Sequence, residues 1–210
     1  MLDDELGSSE LGTLEFWEAR YDSEIQNFKN HGDPGEAWFG EDIVDRIIKW
    51  ISENVDKNVS IADLGCGNGH VLIELAQLGY TKLIGLDYSE KAICLANTIK
   101  DNQSLNIKYE VNDILLGLNG VYNVIHDKGT YDAISLSENS KEFREKYRIN
   151  VHSALEARGY FIITSCNWTE EELKEHFKEG FELHCTIPTP QFKFGGKVGS
   201  VVSICVFKKK

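Results

Sequence analysis

The chain has 210 residues, a formal net charge of −12 and five cysteines. This length is enough for one α/β domain with a buried core, and the cysteines form neither Cys-x-x-Cys pairs nor clusters with histidine, so we expect no disulfide framework and no metal site. No signal peptide and no apolar run of membrane-spanning length is visible, which predicts a soluble protein of the cytoplasm, and also of the nucleus, without a membrane partner.

The negative charge is concentrated at the amino-terminal end of the chain. Residues 1–45 contain thirteen Asp or Glu residues and two Lys or Arg residues, Arg20 and Lys29. Nucleic acids are bound through clustered Lys and Arg, so this balance argues against a nucleic-acid partner. It predicts a partner with a basic surface, although an acidic segment that only solvates the surface has the same composition.

Residues 9–40 predict an acidic helical extension that covers the functional site of the main domain, whereas residues 1–8 are expected to be disordered. The extension carries apolar residues at spacings of three and four, which predicts an amphipathic helix docked on the domain. These residues are Leu14, Trp17, Tyr21, Ile25 and Phe28. The main domain, at 41–210, is predicted to begin with a helix marked by Ile43, Ile47, Ile48 and Ile51.

From residue 59 onward, strand and helix patterns alternate. Strands are predicted at 59–64, 82–87, 106–112, 122–127 and 159–166, and helices near 70–79, 89–101, 139–156 and 169–178. Strand patterns at 181–187 and 198–208 flank a loop too short for a helical crossover, so they should pair as an antiparallel hairpin. This order resembles the Rossmann-like α/β fold of class I methyltransferases, which has a seven-stranded, mostly parallel sheet, a C-terminal antiparallel hairpin and helices on both faces.

The most informative motif is a glycine-rich loop, DLGCGNG, at residues 63–69. It follows an apolar strand and precedes a helix, which is typical of a loop that holds a nucleoside-bearing cofactor. A dinucleotide fingerprint requires a third glycine where this chain has His70, so NAD is disfavoured and the G-x-G-x-G spacing favours S-adenosylmethionine. The next apolar run ends in Asp87, whose two carboxylate oxygens suit the two hydroxyls of a ribose.

The resemblance to class I methyltransferases implies further cofactor contacts. Asp63 and the glycine loop would hold the methionine portion, Tyr88 would stack on adenine, and Asp113 would accept a hydrogen bond from the adenine amino group. The full set of implied cofactor-binding residues is Asp63, Gly65, Cys66, Gly67, Asp87, Tyr88, Asn112, Asp113, Ile114 and Asp127. Each acid taken alone is also explained as a helix cap or a turn residue, but acids follow three successive strands.

A second group of residues predicts the site of the methyl acceptor. Aromatic walls combined with carboxylates suit a cationic amine, because the ring faces attract cations. The predicted catalytic residues are Glu36, Trp38, Phe39, Asp127, Asn167 and Trp168. Asp127 would face the cofactor or the target amine, whereas His126 is interpreted as structural. Packing in the core is the alternative interpretation for Trp38 and Trp168.

Five segments together resemble one family in particular. The segments are EFWEARY at 15–21, GDPGEAWFGE at 32–41, DKGTYDAISL at 127–136, TSCNWT at 164–169 and PTPQFKFGG at 188–196. They resemble the elongation factor 1-alpha lysine methyltransferase 2 family, and the match runs from about residue 9 to the end. The resemblance implies a protein-lysine N-methyltransferase that acts on a basic protein, elongation factor 1-alpha. It also implies that S-adenosylmethionine is converted to S-adenosylhomocysteine without a metal.

The residues alone leave other functions open. A small-molecule amine methyltransferase would share the same cofactor site, although the acidic extension argues mildly against it. A noncatalytic methyltransferase-like module that regulates a partner is disfavoured by the intact Asp63, Asp87 and Asp113. A dehydrogenase is disfavoured further because no Tyr-x-x-x-Lys pair is present, and methylation of nucleobases or glutamine amides is weakened because no N-P-P-[YF] signature is present.

Overall fold

A computed structural model describes residues 6–194 and 197–210, with the backbone alone over 192–194 and 197–200. The helices are α1 (Leu14–His31), α2 (Glu41–Asn54), α3 (His70–Gln77), α4 (Glu90–Asn102), α5 (Thr130–Ser135), α6 (Ser140–Ala154) and α7 (Glu170–Phe177). The strands are β1 (Ser60–Leu64), β2 (Lys82–Asp87), β3 (Lys108–Val111), β4 (Tyr122–Lys128), β5 (Leu155–Ser165), β6 (Phe181–Thr186), β7 (Gln191–Phe194), β8 (Lys197–Ser200) and β9 (Ser203–Lys209). Single 3-10 turns lie at Glu10–Gly12 and Ile114–Leu116.

Seven of the strands form one sheet in the order β3-β2-β1-β4-β5-β9-β6. Strands β1 to β5 are parallel, and β9 runs antiparallel to both of its neighbours, β5 and β6. The predicted seven-stranded, mostly parallel sheet with an antiparallel carboxyl-terminal pair is confirmed. Because β2 and β4 lie on opposite sides of β1, the strand order reverses there, and this is where open α/β sheets bind their ligands.

Alternating side chains of the central strands build a core on each face of the sheet. Ile61 and Val124 point into the core under α2, α3 and α4, whereas their neighbours Ala62 and Ile125 point into the core under α5, α6 and α7. Burial on both faces requires strands that are apolar at nearly every position, which is the pattern that made these strands visible in the sequence.

The carboxyl-terminal region departs from the prediction. The predicted loop 188–197 contains a strand, and the predicted strand 198–208 is divided, because β7 and β8 pair as a separate two-stranded sheet before β9 begins. The alternating sequence Gln191-Phe192-Lys193-Phe194 has the period of two that strands prefer, although prolines at 188 and 190 directly precede it. The strand β9 still forms the predicted antiparallel pair with β6.

The amino-terminal extension is docked on the domain through α1. Helix α1 is capped at its amino end by Thr13, whose hydroxyl accepts from the Phe16 N–H, and at its carboxyl end by Gly32, which has a left-handed φ of 72°. Glu18 accepts a hydrogen bond from Ser89, at the start of α4 (2.7 Å). Four residues of the predicted stripe, Trp17, Tyr21, Ile25 and Phe28, are partly or fully buried against the first core, whereas Leu14 is exposed.

The remaining expectations for this region have mixed outcomes. Each isoleucine predicted to mark the next helix is buried in α2. The predicted disorder over 1–8 concerns mainly residues 1–5, which lie outside the described residues. Leu6, which is described, packs against the second core. In the described part of the chain, no helix is both long and apolar enough to cross a membrane.

Candidate active site

A cavity of about 820 Å³ lies at the carboxyl ends of the parallel strands. Asp63, Asp87 and Asp113 follow or end β1, β2 and β3, and all three line the cavity. The opposite wall comes from α1 and from residues 36–39 of the extension. The volume lies within the range of small-molecule sites.

The glycine-rich loop passes close beneath two neighbouring elements. Gly65 and Gly67 have φ values of 62° and 55°, a region that favours glycine. A Cβ atom at Gly65 would lie 1.9 Å from the Thr130 hydroxyl, and one at Gly67 would lie 2.4 Å from the Tyr21 hydroxyl. Positions 65 and 67 therefore require glycine, and α1 of the extension packs directly on the loop at Gly67.

The Asp87 carboxylate is fixed at the tip of β2 by two backbone donors. Gly67 N–H donates to Oδ2 (3.0 Å) and Ser89 N–H donates to Oδ1 (2.9 Å). The side chain is nearly buried, and this burial raises the pKa of Asp87 to about 6 despite both hydrogen bonds. A carboxylate held in this way offers one further acceptor position on each oxygen to a ligand with two adjacent hydroxyl groups.

Asp63 is oriented by a buried histidine. His126 Nδ1 lies 2.7 Å from Asp63 Oδ1, and the His126 ring is completely buried. Asp63 lines the cavity and His126 does not. This geometry agrees with the interpretation of His126 as structural, since the ring holds the carboxylate in place rather than reaching the cavity.

Polar acceptors follow β3, where adenine is predicted to bind. Asn112 Oδ1 is buried and has no hydrogen-bond partner among the described residues, and Asp113 Oδ1 accepts from Leu115 N–H (2.9 Å). Both residues line the cavity together with Tyr88 and Ile114. A buried acceptor oxygen without a hydrogen-bond donor favours a ligand that supplies an N–H or O–H group, and the adenine amino group is such a donor.

The structure places Asp127 outside the cavity lining. Its carboxylate is fully buried and accepts hydrogen bonds from Thr130 N–H (3.0 Å), Tyr131 N–H (3.1 Å) and the Tyr147 hydroxyl (2.5 Å). Burial raises the pKa of Asp127 to about 8. Successive strand side chains point to opposite faces, and the neighbour Lys128 lines the cavity instead. This position does not support the predicted contact between Asp127 and the cofactor or target amine.

Trp168 is also turned away from the cavity. Its indole N–H donates to Ser135 Oγ (3.0 Å), and the Arg144 guanidinium lies 5.1 Å from its ring. Trp168 belongs to the second core, whereas its neighbour Asn167 lines the cavity. The interpretation of Trp168 as a packing residue therefore agrees better with the structure than a place in the acceptor channel.

The other predicted acceptor residues do meet at the cavity. Glu36, Trp38 and Phe39 line it, and Trp38 stands 5.2 Å from the ring of Trp17. Phe39 adopts a left-handed φ of 72°, and its ring centroid lies 5.7 Å from Lys128 Nζ. Glu36 is exposed at the rim. The exposed fraction of Trp38 is 39%, so this indole reaches the surface.

Two charged residues of the cavity were missed by the sequence analysis. Lys128 ends β4, and Asp132 lies in α5, where its carboxylate accepts from Cys166 N–H (2.8 Å) and Ser165 Oγ (2.5 Å). Both belong to the DKGTYD segment, but the sequence does not show which of its side chains face the ligand. Among the described residues, no group of three or more potential metal ligands is present.

Comparison with known proteins agrees with this geometry. A family model described as Methyltransferase domain matches residues 55–202. The chain is 45% identical over 207 residues to EEF1A lysine methyltransferase 2 of Homo sapiens, covering 96% of this chain and 87% of the relative. It is 38% identical over 227 residues to Protein-lysine N-methyltransferase efm4 of Schizosaccharomyces pombe, covering 97% and 95%. The chain belongs to the EEF1A lysine methyltransferase 2 family.

Solved structures show the same fold at lower identity. A TehB-like SAM-dependent methyltransferase from Corynebacterium glutamicum gives a TM-score of 0.67 at 21% identity, covering 91% of this chain and 99% of that chain. Magnesium protoporphyrin IX methyltransferase from Synechocystis, with bound SAM, gives a TM-score of 0.64 at 18% identity, covering 80% and 79%. The chain therefore has the class I methyltransferase fold. As a member of the EEF1A lysine methyltransferase 2 family, it uses S-adenosylmethionine as its cofactor.

The described residues fit this cofactor. The cavity offers the two acceptor oxygens of the Asp87 carboxylate and the Asn112 Oδ1 atom, which has no hydrogen-bond partner among the described residues. It also offers the Asp63 carboxylate, which is oriented by His126. These acceptors match, in chemistry, the ribose hydroxyls, the adenine amino group and the ammonium group of S-adenosylmethionine. The residue set is therefore suited to hold the whole cofactor along one wall of the cavity.

Proposed function

We propose that this enzyme methylates a lysine side chain of elongation factor 1-alpha, with Glu36, Trp38 and Phe39 guiding the lysine. The observation that carries the proposal is a cavity running from the buried Asp87 carboxylate to the exposed side chains of Glu36 and Trp38. Relatives that cover nearly the whole chain are named for lysine methylation of this factor, which supports the choice of substrate.

A lysine side chain suits the outer half of the cavity. Lysine has a long apolar stem and a charged tip, so it packs its stem on apolar side chains while its tip reaches a polar group. Trp17, Trp38 and Phe39 offer such an aromatic wall. The exposed Glu36 carboxylate at the rim, together with the acidic extension, attracts a basic protein surface over a longer range.

Methyl transfer requires a neutral amine that is aligned with the methyl group. When bound, S-adenosylmethionine supplies an electrophilic methyl group on its sulfonium. A lysine amine has a pKa near ~10.4 in water, and apolar surroundings lower it. Trp38 and Phe39 provide such surroundings, and holding the amine in one orientation supplies a large part of the rate. Asp127 is enclosed by its own hydrogen bonds, so we assign the removal of the amine proton to water.

The proposal is tested by transfer of a radiolabelled methyl group into purified elongation factor 1-alpha. The expected result is labelling of a single lysine, located by mass spectrometry, and no labelling by an Asp87→Ala variant. A parallel reaction in a cell extract asks which protein is labelled when all are present.

Three outcomes would contradict the proposal in whole or in part. Labelling of small amines without any labelled protein would favour a small-molecule methyltransferase. Absence of transfer to any acceptor by an enzyme that binds S-adenosylmethionine normally would favour a noncatalytic regulatory module. Labelling of a different protein in the extract would support protein methylation but refute elongation factor 1-alpha as the substrate.

The cellular location follows from the proposed substrate. Because elongation factor 1-alpha acts in translation, we propose that the enzyme works in the cytoplasm, with a further fraction in the nucleus. Fluorescence microscopy of a tagged chain tests this, and a signal confined to a membrane compartment would contradict it.

A further inference from the structure

Lys128 is a cation inside a cavity that is otherwise acidic. The cavity is lined by five carboxylate side chains and, among its described lining residues, by no lysine or arginine except Lys128. The five acids are Glu36, Asp63, Asp87, Asp113 and Asp132. A single cation in such surroundings points to a ligand with one anionic group.

The Lys128 ammonium has no ion-pair partner among the described residues. No carboxylate of the described residues lies within 4.0 Å of Nζ, and the contact that the structure shows for it is the Phe39 ring, at 5.7 Å from Nζ to the centroid. Burial lowers the pKa of Lys128, although the nearby carboxylates of Asp63 and Asp127 oppose the shift. A cation in such a position is stabilised when an anion is bound beside it.

Strand pairing places Lys128 beside the loop that holds the methionine portion of the cofactor. In the register of β1 and β4, Leu64 lies opposite Asp127, and Gly65 and Lys128 are the residues that directly follow this last pair. Asp63 is one residue before Leu64 and is assigned to the ammonium group. The ammonium and carboxylate of an amino acid share one carbon atom, so the group that binds the carboxylate must lie close to Asp63.

Arg20 is an alternative cation because its partner Glu36 lines the cavity, but its guanidinium is already engaged. Its guanidinium pairs with Glu24 (2.7 Å) and Glu36 (3.7 Å), and Arg20 does not line the cavity. We infer that Lys128 binds the α-carboxylate of S-adenosylmethionine through a charge-assisted hydrogen bond. This inference rests on the identity of the cofactor and not on the identity of the protein substrate.

The test compares the binding of S-adenosylmethionine and decarboxylated S-adenosylmethionine by isothermal titration calorimetry. The two ligands differ in the carboxylate alone. In the Lys128→Met variant, the affinity for S-adenosylmethionine should fall roughly 10- to 100-fold, whereas the affinity for the decarboxylated ligand should change less than about threefold, because only the first ligand loses its partner. Binding of the decarboxylated ligand also shows that the variant is folded.

Three further variants sharpen the test. Lys128→Arg keeps the charge and should retain the preference for the carboxylated ligand. Lys82→Met removes an exposed lysine outside the cavity and should leave both affinities unchanged. Arg20→Met should also leave the preference intact, and loss of the preference in this variant but not in Lys128→Met would assign the carboxylate to Arg20.

Two results for Lys128→Met would overturn the inference. One is an equal loss of affinity for both ligands, which would indicate a structural role. The other is unchanged affinity for S-adenosylmethionine accompanied by a shifted pH profile of methyl transfer, which would indicate that Lys128 acts on the acceptor amine. A wild-type enzyme that binds the cofactor but does not methylate elongation factor 1-alpha would refute the proposed substrate and leave this inference standing.

Discussion

The two halves of the cavity are built by different means. In the cofactor half, Asp63 and Asp87 stand at the ends of neighbouring strands and are fixed by short hydrogen bonds to His126, Gly67 and Ser89. In the acceptor half, the wall consists of side chains from the extension, whose backbone has no strand partner. The comparison teaches that the cofactor half is a property of the sheet, whereas the acceptor half depends on how the extension is docked.

The largest expected effect concerns the cofactor half. Asp87→Ala removes both acceptors for the ribose hydroxyls, and the affinity for S-adenosylmethionine should fall by more than about 100-fold, since two charge-assisted hydrogen bonds are lost. Calorimetry measures the affinity, and circular dichroism checks that the fold is retained. The control Asp101→Ala removes an exposed acid outside the cavity. Unchanged affinity in Asp87→Ala would refute the ribose assignment.

The second prediction separates a buried acid from a binding acid. Tyr147→Phe removes the hydroxyl that donates to Asp127, so the protein should lose about 1–3 kcal/mol of unfolding free energy, while the affinity for S-adenosylmethionine stays within about twofold. Denaturant titration measures the first quantity.

Tyr160→Phe is the matched control, because the Tyr160 hydroxyl forms no hydrogen bond with the described residues. A Tyr147→Phe variant with unchanged stability but weakened cofactor binding would indicate that Asp127 contributes to the cofactor site.

The third prediction is a pH dependence that belongs to the cofactor half. Burial raises the pKa of Asp87 to about 6, so the carboxylate becomes protonated below that pH and loses its capacity to accept from both ribose hydroxyls. Between pH 7 and pH 5 the affinity for S-adenosylmethionine should therefore fall about tenfold, and the loss should increase with acidity. Binding by the Asp87→Asn variant should be weak and flat over this range. A wild-type affinity that rises on acidification would contradict the assignment.

The smallest effect concerns the acceptor half. Trp38→Ala should lower kcat/KM for the protein substrate about five- to tenfold, because the lysine loses one aromatic wall, and should leave the cofactor affinity within about twofold. Steady-state kinetics and calorimetry measure the two quantities. The reverse pattern, weaker cofactor binding with normal methyl transfer, would remove the distinction between the two halves.

The same distinction explains what the sequence predicted. A strand, a glycine-rich loop and a helix follow one another over residues 60–77, and the next strand ends at Asp87, so local sequence positions Gly65, Gly67 and Asp87. The sheet was predictable for a related reason, since its central strands, such as β1 and β4, are buried on both faces.

The rest depended on the direction in which neighbouring side chains point. At the end of β4, Asp127 and Lys128 are both polar, and only the packing of Tyr147 against Asp127 shows that the aspartate faces inward. After β5, Asn167 faces the cavity, whereas Trp168 packs in the core and not at the acceptor site where it was predicted. No local pattern distinguishes the members of such pairs.

The Tyr21 hydroxyl rests against Gly67, in the loop that also donates a hydrogen bond to Asp87. We therefore expect docking of α1 and occupancy of the cofactor site to be thermodynamically linked, and such a linkage is reciprocal. A ligand that binds more tightly when α1 is docked should protect α1 from proteolysis, and a partner that stabilises the docked α1 should raise the affinity for that ligand.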